Sequence, residues 1–227
     1  MEISGAHVLV VGATGGLGSA LARALAADGA RLSLSGRDAT RLSALADELT
    51  ASVLSSVSAD LVDPSAPARI VDAAVAASPL DVVVFAAGVV AFGAVAELDD
   101  DTLDQLLLVN VIAPVRLLRA VAPQLGRGAV VVNLSAVVAE TPLPGMAAYA
   151  ASKAALTAFD RAAGRELRRA GVRVLDVRPP HTETGLASRP VAGISPRLGA
   201  GKSPDEVAAR IVQALRDDEA DLPSDAF

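Results

Sequence analysis

Val8-Leu9-Val10-Val11-Gly12-Ala13-Thr14-Gly15-Gly16-Leu17-Gly18 is the stretch that decides how this chain folds. Its aliphatic run reads as a strand buried on both faces, and the glycines turn the chain sharply into the Ala/Leu-rich run of residues 16–27. Glycines at such a turn let backbone amides approach a pyrophosphate at the positive end of the following helix, and let that helix pack closely on the strand. The loop satisfies two spacings, GxxxGxG through Gly12, Gly16 and Gly18, and GxxGxxG through Gly12, Gly15 and Gly18. Its strand-turn-helix setting is what gives either spacing meaning.

Outward from this loop the pattern repeats. Short aliphatic runs at His7 to Val11, Arg31 to Ser35, Val53 to Val57, Asp81 to Ala86, Ala129 to Leu134 and Val172 to Val177 read as strands, continuous in hydrophobicity rather than alternating. Between them, Gly16 to Ala27, Ala39 to Leu49, Ala66 to Ala77, Asp101 to Leu125 and Met146 to Ala170 read as helices, and a last helix covers Pro204 to Arg216. Six βα units in a row imply an α/β protein, a Rossmann-type doubly wound parallel sheet with helices on both faces in three layers, spanning residues 1–227 as one domain. Right-handed crossovers then put the ligand crevice at the carboxyl ends of the strands. The Gly-, Pro- and Ser-rich stretch 182–203 is long for a connection in such a fold and reads as a lid.

Composition narrows the chemistry. The 227 residues are 52% hydrophobic but only 2% aromatic, so the core must be built from Ala, Val and Leu. No cysteine is present, which excludes disulfides, thiolate metal sites and cysteine nucleophiles, and His7 and His181 are too few for a multi-histidine metal site. A net charge of −6 argues against nucleic acid or an anionic membrane as the main partner. The amino terminus has no basic region ahead of its short apolar run, and no apolar stretch reads as a membrane span, so a cytoplasmic protein is expected. No GxSxG elbow accompanies the two histidines, which disfavours a serine hydrolase.

Two further features carry chemistry. The second strand ends in Ser35-Gly36-Arg37, where a carboxylate would hold ribose hydroxyls and a guanidinium suits a 2′-phosphate, so NADP is favoured over NAD. Asp38 follows as an alternative partner for Arg37, and Arg41 reads more readily as an exposed helical arginine than as a phosphate ligand. Tyr149, the only tyrosine, lies four residues before Lys153, one of only two lysines. On a helix these share a face, and an ammonium beside a phenol favours the phenolate, so a tyrosine so placed can exchange a proton near neutral pH.

With Asp60-Leu61, Ala86-Ala87-Gly88, Asn110 within Leu108-Val109-Asn110-Val111, Asn133-Leu134-Ser135 and Tyr149-Ala150-Ala151-Ser152-Lys153 following the glycine loop in order, the chain resembles the single-domain branch of the short-chain dehydrogenase/reductase family over nearly its whole length. The resemblance implies hydride transfer between a nicotinamide cofactor and a carbonyl or alcohol, with four catalytic residues. Tyr149 would be the general acid/base, Ser135 would bond the substrate oxygen, Lys153 would lower the tyrosine pKa and hold the nicotinamide ribose, and Asn110 would hold a water linking Lys153 to solvent. It implies a cofactor site of Gly12, Thr14, Gly16, Leu17 and Gly18 in the loop, Ser35 and Arg37 at the adenosine end, Asp60 and Leu61 at the adenine, and Ala87 and Gly88 near the adenine ribose. Tyr149, Lys153, Pro179, Thr182 and Thr184 complete it at the nicotinamide end, and no metal is implied.

Departures from the family pattern are Val11 in place of a leading threonine, Ala86 in place of asparagine, and Pro180 in place of glycine, which removes an N–H and fixes φ near −65° beneath the nicotinamide. Val137, Val138, Leu143 and Met146, with Leu186, Ile194 and Leu198 from the lid, are candidates to line an apolar substrate pocket suited to a neutral ketone or aldehyde. The short carboxyl terminus leaves at most a stub of a seventh strand near Ala220 to Leu222, so a homodimer through the helices around Asn110 and Tyr149 is expected, with a tetramer as the alternative. A non-catalytic NAD(P)-binding sensor of the same fold is the competing reading.

Overall fold

The computed structural model describes all 227 residues. β1 (His7–Val11), β2 (Arg31–Gly36), β3 (Val53–Ser58), β4 (Val82–Phe85), β5 (Val130–Leu134), β6 (Arg173–Val177) and β7 (Asp221–Leu222) form one parallel sheet in the order β3-β2-β1-β4-β5-β6-β7. Strand alternation divides the aliphatic runs between two apolar layers. Val8 and Val10 of β1 and Val82 and Val84 of β4 face one layer, whereas Leu9, Val11, Val83 and Phe85 face the other. A strand covered on both sides has to be apolar at every position, which is why these read as unbroken runs. β3 departs from that expectation: as an edge strand, it alternates half-buried and exposed residues.

α1 (Gly16–Ala27), α2 (Ala39–Glu48) and α7 (Pro204–Arg216) cover the first layer, and α3 (Ala66–Ala77), α5 (Ala113–Val121) and α6 (Ala147–Leu167) cover the second. Caps define several starts. Asp38 accepts from Arg41 N at 3.0 Å, Asp99 accepts from Thr102 N at 2.7 Å ahead of α4 (Asp100–Leu107), and Ser203 and Glu206 form a capping box on α7.

The single helix expected from Asp101 to Leu125 is broken. α4 runs through a π-helical turn, Leu108–Ile112, into α5 and ends in a 3₁₀ turn, Ala122–Gln124. Pro114 supplies the reason, because it has no N–H to give to the carbonyl of Asn110 four residues earlier. By length and composition this helix could cross a membrane; in the fold it packs against α3 and α6.

The sheet order reverses between β1 and β4, so the loops after these strands meet. A Cβ added to Gly12 would fall 2.5 Å from Ala87 N, and Gly12 also has φ +86°, so only glycine fits. The segment 182–203 has no helix or strand. Its ends are clasped by a Thr182–Lys202 bridge, by Glu183 N donating to Lys202 O at 2.9 Å and by Lys202 N donating to His181 O at 2.9 Å. Its middle docks on residues 90–92, where Val191 N donates to Val90 O at 2.8 Å and Phe92 N to Ala192 O at 3.0 Å.

Candidate active site

A cavity of about 750 Å³ opens along the carboxyl ends of the strands. At its floor Ser35 O accepts from Gly12 N at 2.8 Å and from Ala13 N at 2.9 Å, which fixes the glycine loop to β2. Gly15 precedes α1 without a side-chain cap, and the amides of Gly16, Leu17 and Gly18 have no hydrogen-bond partner. Unpaired amides at a helix amino end attract an anion. Thr14, Gly16 and Leu17 line the cavity, and Gly16 is in direct contact with Thr184 of the lid. Gly18 does not line it; a Cβ there would meet Gly12 O at 2.1 Å, so this glycine lets α1 pack under the turn.

Toward the adenosine end, Ser35, Arg37, Asp60, Leu61, Ala87 and Gly88 all line the cavity, as does Arg41. Asp38 is spent on the cap of α2 and forms no ion pair with Arg37, which is exposed and without a carboxylate partner. Gly36 packs on the Thr14 side chain.

At the other end α6 presents Tyr149 and Lys153, only 7% and 4% exposed. The Tyr149 hydroxyl makes no hydrogen bond and the ring borders the cavity beside Val90, Phe92, Val138 and Met146. Lys153 Nζ donates to Leu134 O at 2.8 Å. Burial pushes the phenol well above its ordinary value and pushes the lysine down to about 8, with Asp176 and Asp160 opposing the latter shift. The ammonium is thus turned to a carbonyl, and burial is the cause of the raised phenol.

Ser135 lines the cavity, and its hydroxyl donates to Lys153 O at 2.9 Å and lies 3.1 Å from Thr157 Oγ1, which ties β5 to α6. Ala136 beside it also lines the cavity and carries no donor. Asn110 is fully buried and its amide is also committed. Oδ1 accepts from Val89 N at 2.9 Å, and Nδ2 donates to Val89 O at 2.9 Å and Ser152 Oγ at 3.0 Å. The group at this residue left without its α-helical donor is the main-chain carbonyl, not the side chain. Gly88 lies between these polar groups, 3.4 Å from both Asn110 Oδ1 and Lys153 Nζ if a Cβ is added.

Pro179, Pro180, His181, Thr182 and Thr184 all border the cavity. Pro179 O accepts from Val137 N at 3.0 Å, and Pro180 O accepts from Thr182 Oγ1 at 2.8 Å. Both X–Pro bonds are trans. His181 faces Glu183, with Nε2 at 3.4 Å from Oε1. Val137, Val138, Leu143, Met146, Leu186 and Leu198 line the cavity as expected, whereas Ile194 is 90% exposed and faces away.

A family profile described as short chain dehydrogenase matches residues 6–193. The chain belongs to the short-chain dehydrogenase/reductase family. Dehydrogenase/reductase SDR family member 7B of Bos taurus is 32% identical over 97% of this chain and 73% of its own length. A cyclic-di-GMP-binding biofilm dispersal mediator protein of Escherichia coli is 32% identical over 92% of this chain and 88% of its own. A solved short chain dehydrogenase from Burkholderia cenocepacia J2315, in complex with NADP, superposes with a TM-score of 0.87 at 31% identity, covering 100% of this chain and 98% of that one. This short-chain dehydrogenase/reductase is thus an NAD(P)-dependent oxidoreductase.

One part of the site escaped the sequence reading. Tyr149, Lys153, Thr157 and Asp160 form a single stripe on α6, and Asp176 interrupts the apolar run of β6. That spacing and that interruption were the available signals, and both lie outside the motifs of the family.

Proposed function

We propose that this chain is an NADP-preferring oxidoreductase that interconverts a small or medium neutral ketone or aldehyde and its alcohol, with Tyr149 as the general acid/base. The observation that carries this is the Tyr149 hydroxyl, unbonded at the edge of an otherwise apolar stretch of cavity wall. A nicotinamide dinucleotide, when bound, supplies or accepts the hydride. The chain fits such a group through the unpaired amides of Gly16 and Leu17, which suit a pyrophosphate, and through unpartnered Arg37, which suits a 2′-phosphate.

Tyr149 gives its proton to the oxygen of the carbonyl as that oxygen gains charge, and takes it back when the alcohol is oxidised. Lys153 stabilises the tyrosinate and holds ribose hydroxyls, while the carbonyl of Asn110 accepts from a water on the proton path. Ser135 acts through the Lys153 carbonyl, as a positioning residue. The apolar wall and the docked segment 182–203 exclude water, which strengthens the polar contacts at the reacting oxygen. The exposed sides of α4, α5 and α6 form the face of a homodimer, because β7 is only two residues long and is followed by Pro223, which weakens a second interface.

The test is a screen of carbonyl compounds with NADPH and NADH. Tyr149→Phe is expected to lose about 10²- to 10⁴-fold in turnover, and a variant with wild-type turnover would overturn the assignment. Arg37→Ala is expected to weaken NADPH binding by about tenfold or more with NADH unchanged; intact NADPH affinity removes the cofactor preference. The Escherichia coli relative, named for binding cyclic-di-GMP, favours a second reading, a nucleotide sensor without turnover. Turnover that depends on Tyr149 excludes it.

A further inference from the structure

Behind Tyr149 and Lys153 the same stripe of α6 continues into the protein interior. Thr157 and Asp160 follow Lys153 on that face, and β6 with the residue after it lays Asp176 and Arg178 against them. Asp160 is 3% exposed and Asp176 2%. The two carboxylates are held differently. Asp176 accepts from Thr157 Oγ1 at 3.3 Å and meets the buried Arg178 guanidinium, which also meets Glu140 Oε1 at 2.5 Å and Asp221 Oδ1 at 2.8 Å. Asp160 has no cation. Its Oδ1 accepts from Asn133 Nδ2 at 2.5 Å, and its Oδ2 is buried with no partner at all.

We propose that Asp160 and Asp176 are positioning residues that set the charge of Lys153. The cluster is joined to the lysine by contact as well as by field. Thr157 stands between Asp176 and Ser135, and Ser135 donates to the carbonyl of Lys153 itself. The titratable and charged groups facing Asp160 are Lys153 on α6, Asp176 on β6 and Arg178 just after it; Glu140 and Asp221 lie beyond, on the guanidinium.

The division of labour follows from these surroundings. A buried ammonium tends to shed its proton, because burial penalises the charged form, and the negative charge of Asp176 opposes that loss. Burial raises the Asp176 carboxyl above its ordinary range, and the Arg178 guanidinium beside it opposes that shift. Asp160, bare on one oxygen, is pushed up to about 8 by burial and so holds its proton at neutral pH. It releases that proton over the range in which Lys153 would lose its own, and the new negative charge then retains the ammonium. Lys153 thereby stays cationic at a pH where burial alone would leave it neutral.

The proposal rests on Lys153 serving Tyr149, yet it is tested without turnover. The chain holds only Lys153 and Lys202, so the full-length protein labelled with ¹³Cε-lysine gives two signals, and Lys202→Arg assigns them. Asp176→Asn is expected to lower the Lys153 midpoint by about one pH unit or more, and Asp160→Asn to lower it by a smaller amount, with Lys202 unmoved. Asp160→Asn breaks no ion pair, so it decides the matter if Asp176→Asn does not fold. A Lys153 midpoint in Asp160→Asn that coincides with wild type overturns the proposal and leaves the oxidoreductase reading standing. Wild-type turnover in Lys153→Met would instead remove the role of the lysine and leave the titration result intact.

Discussion

Each end of the sheet buries a polar cluster, and the two clusters are built on opposite principles. At the amino ends, His7 is fully buried with Nδ1 at 3.0 Å from Ser78 O and 3.1 Å from Pro79 O, and Nε2 at 2.8 Å from Ser33 Oγ, which lies 2.7 Å from Ser55 Oγ. Two carbonyls at Nδ1 require a proton there, Nε2 pairs with Ser33, and every group has a partner. At the carboxyl ends, Lys153, Asp160 and Asp176 are buried ionisable groups, one carboxyl oxygen is orphaned, and Lys153 and Asp160 are both pushed to about 8. A closed network pins strands together. An ionisable, incompletely paired one costs stability and is retained where chemistry needs it.

His7→Leu should give the largest stability change. It leaves Ser33 and two carbonyls without their partner, and about 3 kcal/mol of stability should be lost in denaturant unfolding, with turnover per folded molecule unchanged. Reduced turnover in the folded fraction would erase the contrast between the two ends.

Ser135→Ala comes next, with about 1 kcal/mol lost with the bond from its hydroxyl to the Lys153 carbonyl and turnover reduced less than about tenfold. A fall of about 100-fold or more would place the Ser135 hydroxyl on the substrate oxygen after all.

The smallest effect at neutral pH and the sharpest in pH belongs to Asp160→Asn. Asp160 is raised from 3.8 to about 8, so the folded chain keeps a proton that the unfolded chain releases, and stability falls as pH rises from about 4 to about 8. Lys153 is lowered from 10.5 to about 8, so stability rises again toward about 10.5. The resulting minimum near pH 8 should lose its acid-side slope in Asp160→Asn, as read by thermal unfolding across pH. An unchanged slope would show that Asp160 is ionised throughout.

Most of the fold could be read from the sequence because its causes are local: aliphatic runs buried on both faces, and glycines at the β1 turn. The break at Asn110 was missed because Pro114, its cause, sits inside a 101–125 run whose mostly apolar pattern otherwise supports one helix. Asn110 and Lys153 meet at Gly88 and could be singled out from the sequence as positions. Their atomic partners could not: that the Asn110 amide bonds Val89 and Ser152, and that Ser135 bonds the main chain of Lys153, depend on which neighbours fold against them.

The central claim is that Tyr149 is the proton-transferring group and that Lys153 brings its pKa into range once the cavity is filled. Because Tyr149 is the only tyrosine, ¹³Cζ-tyrosine labelling reports its ionisation as one signal. The midpoint should lie above the ordinary value of 10.0 in the free protein, drop by about one pH unit or more with saturating NADP⁺, and fail to drop in Lys153→Met. A midpoint that NADP⁺ leaves unmoved, or that drops equally without the lysine, would contradict the account.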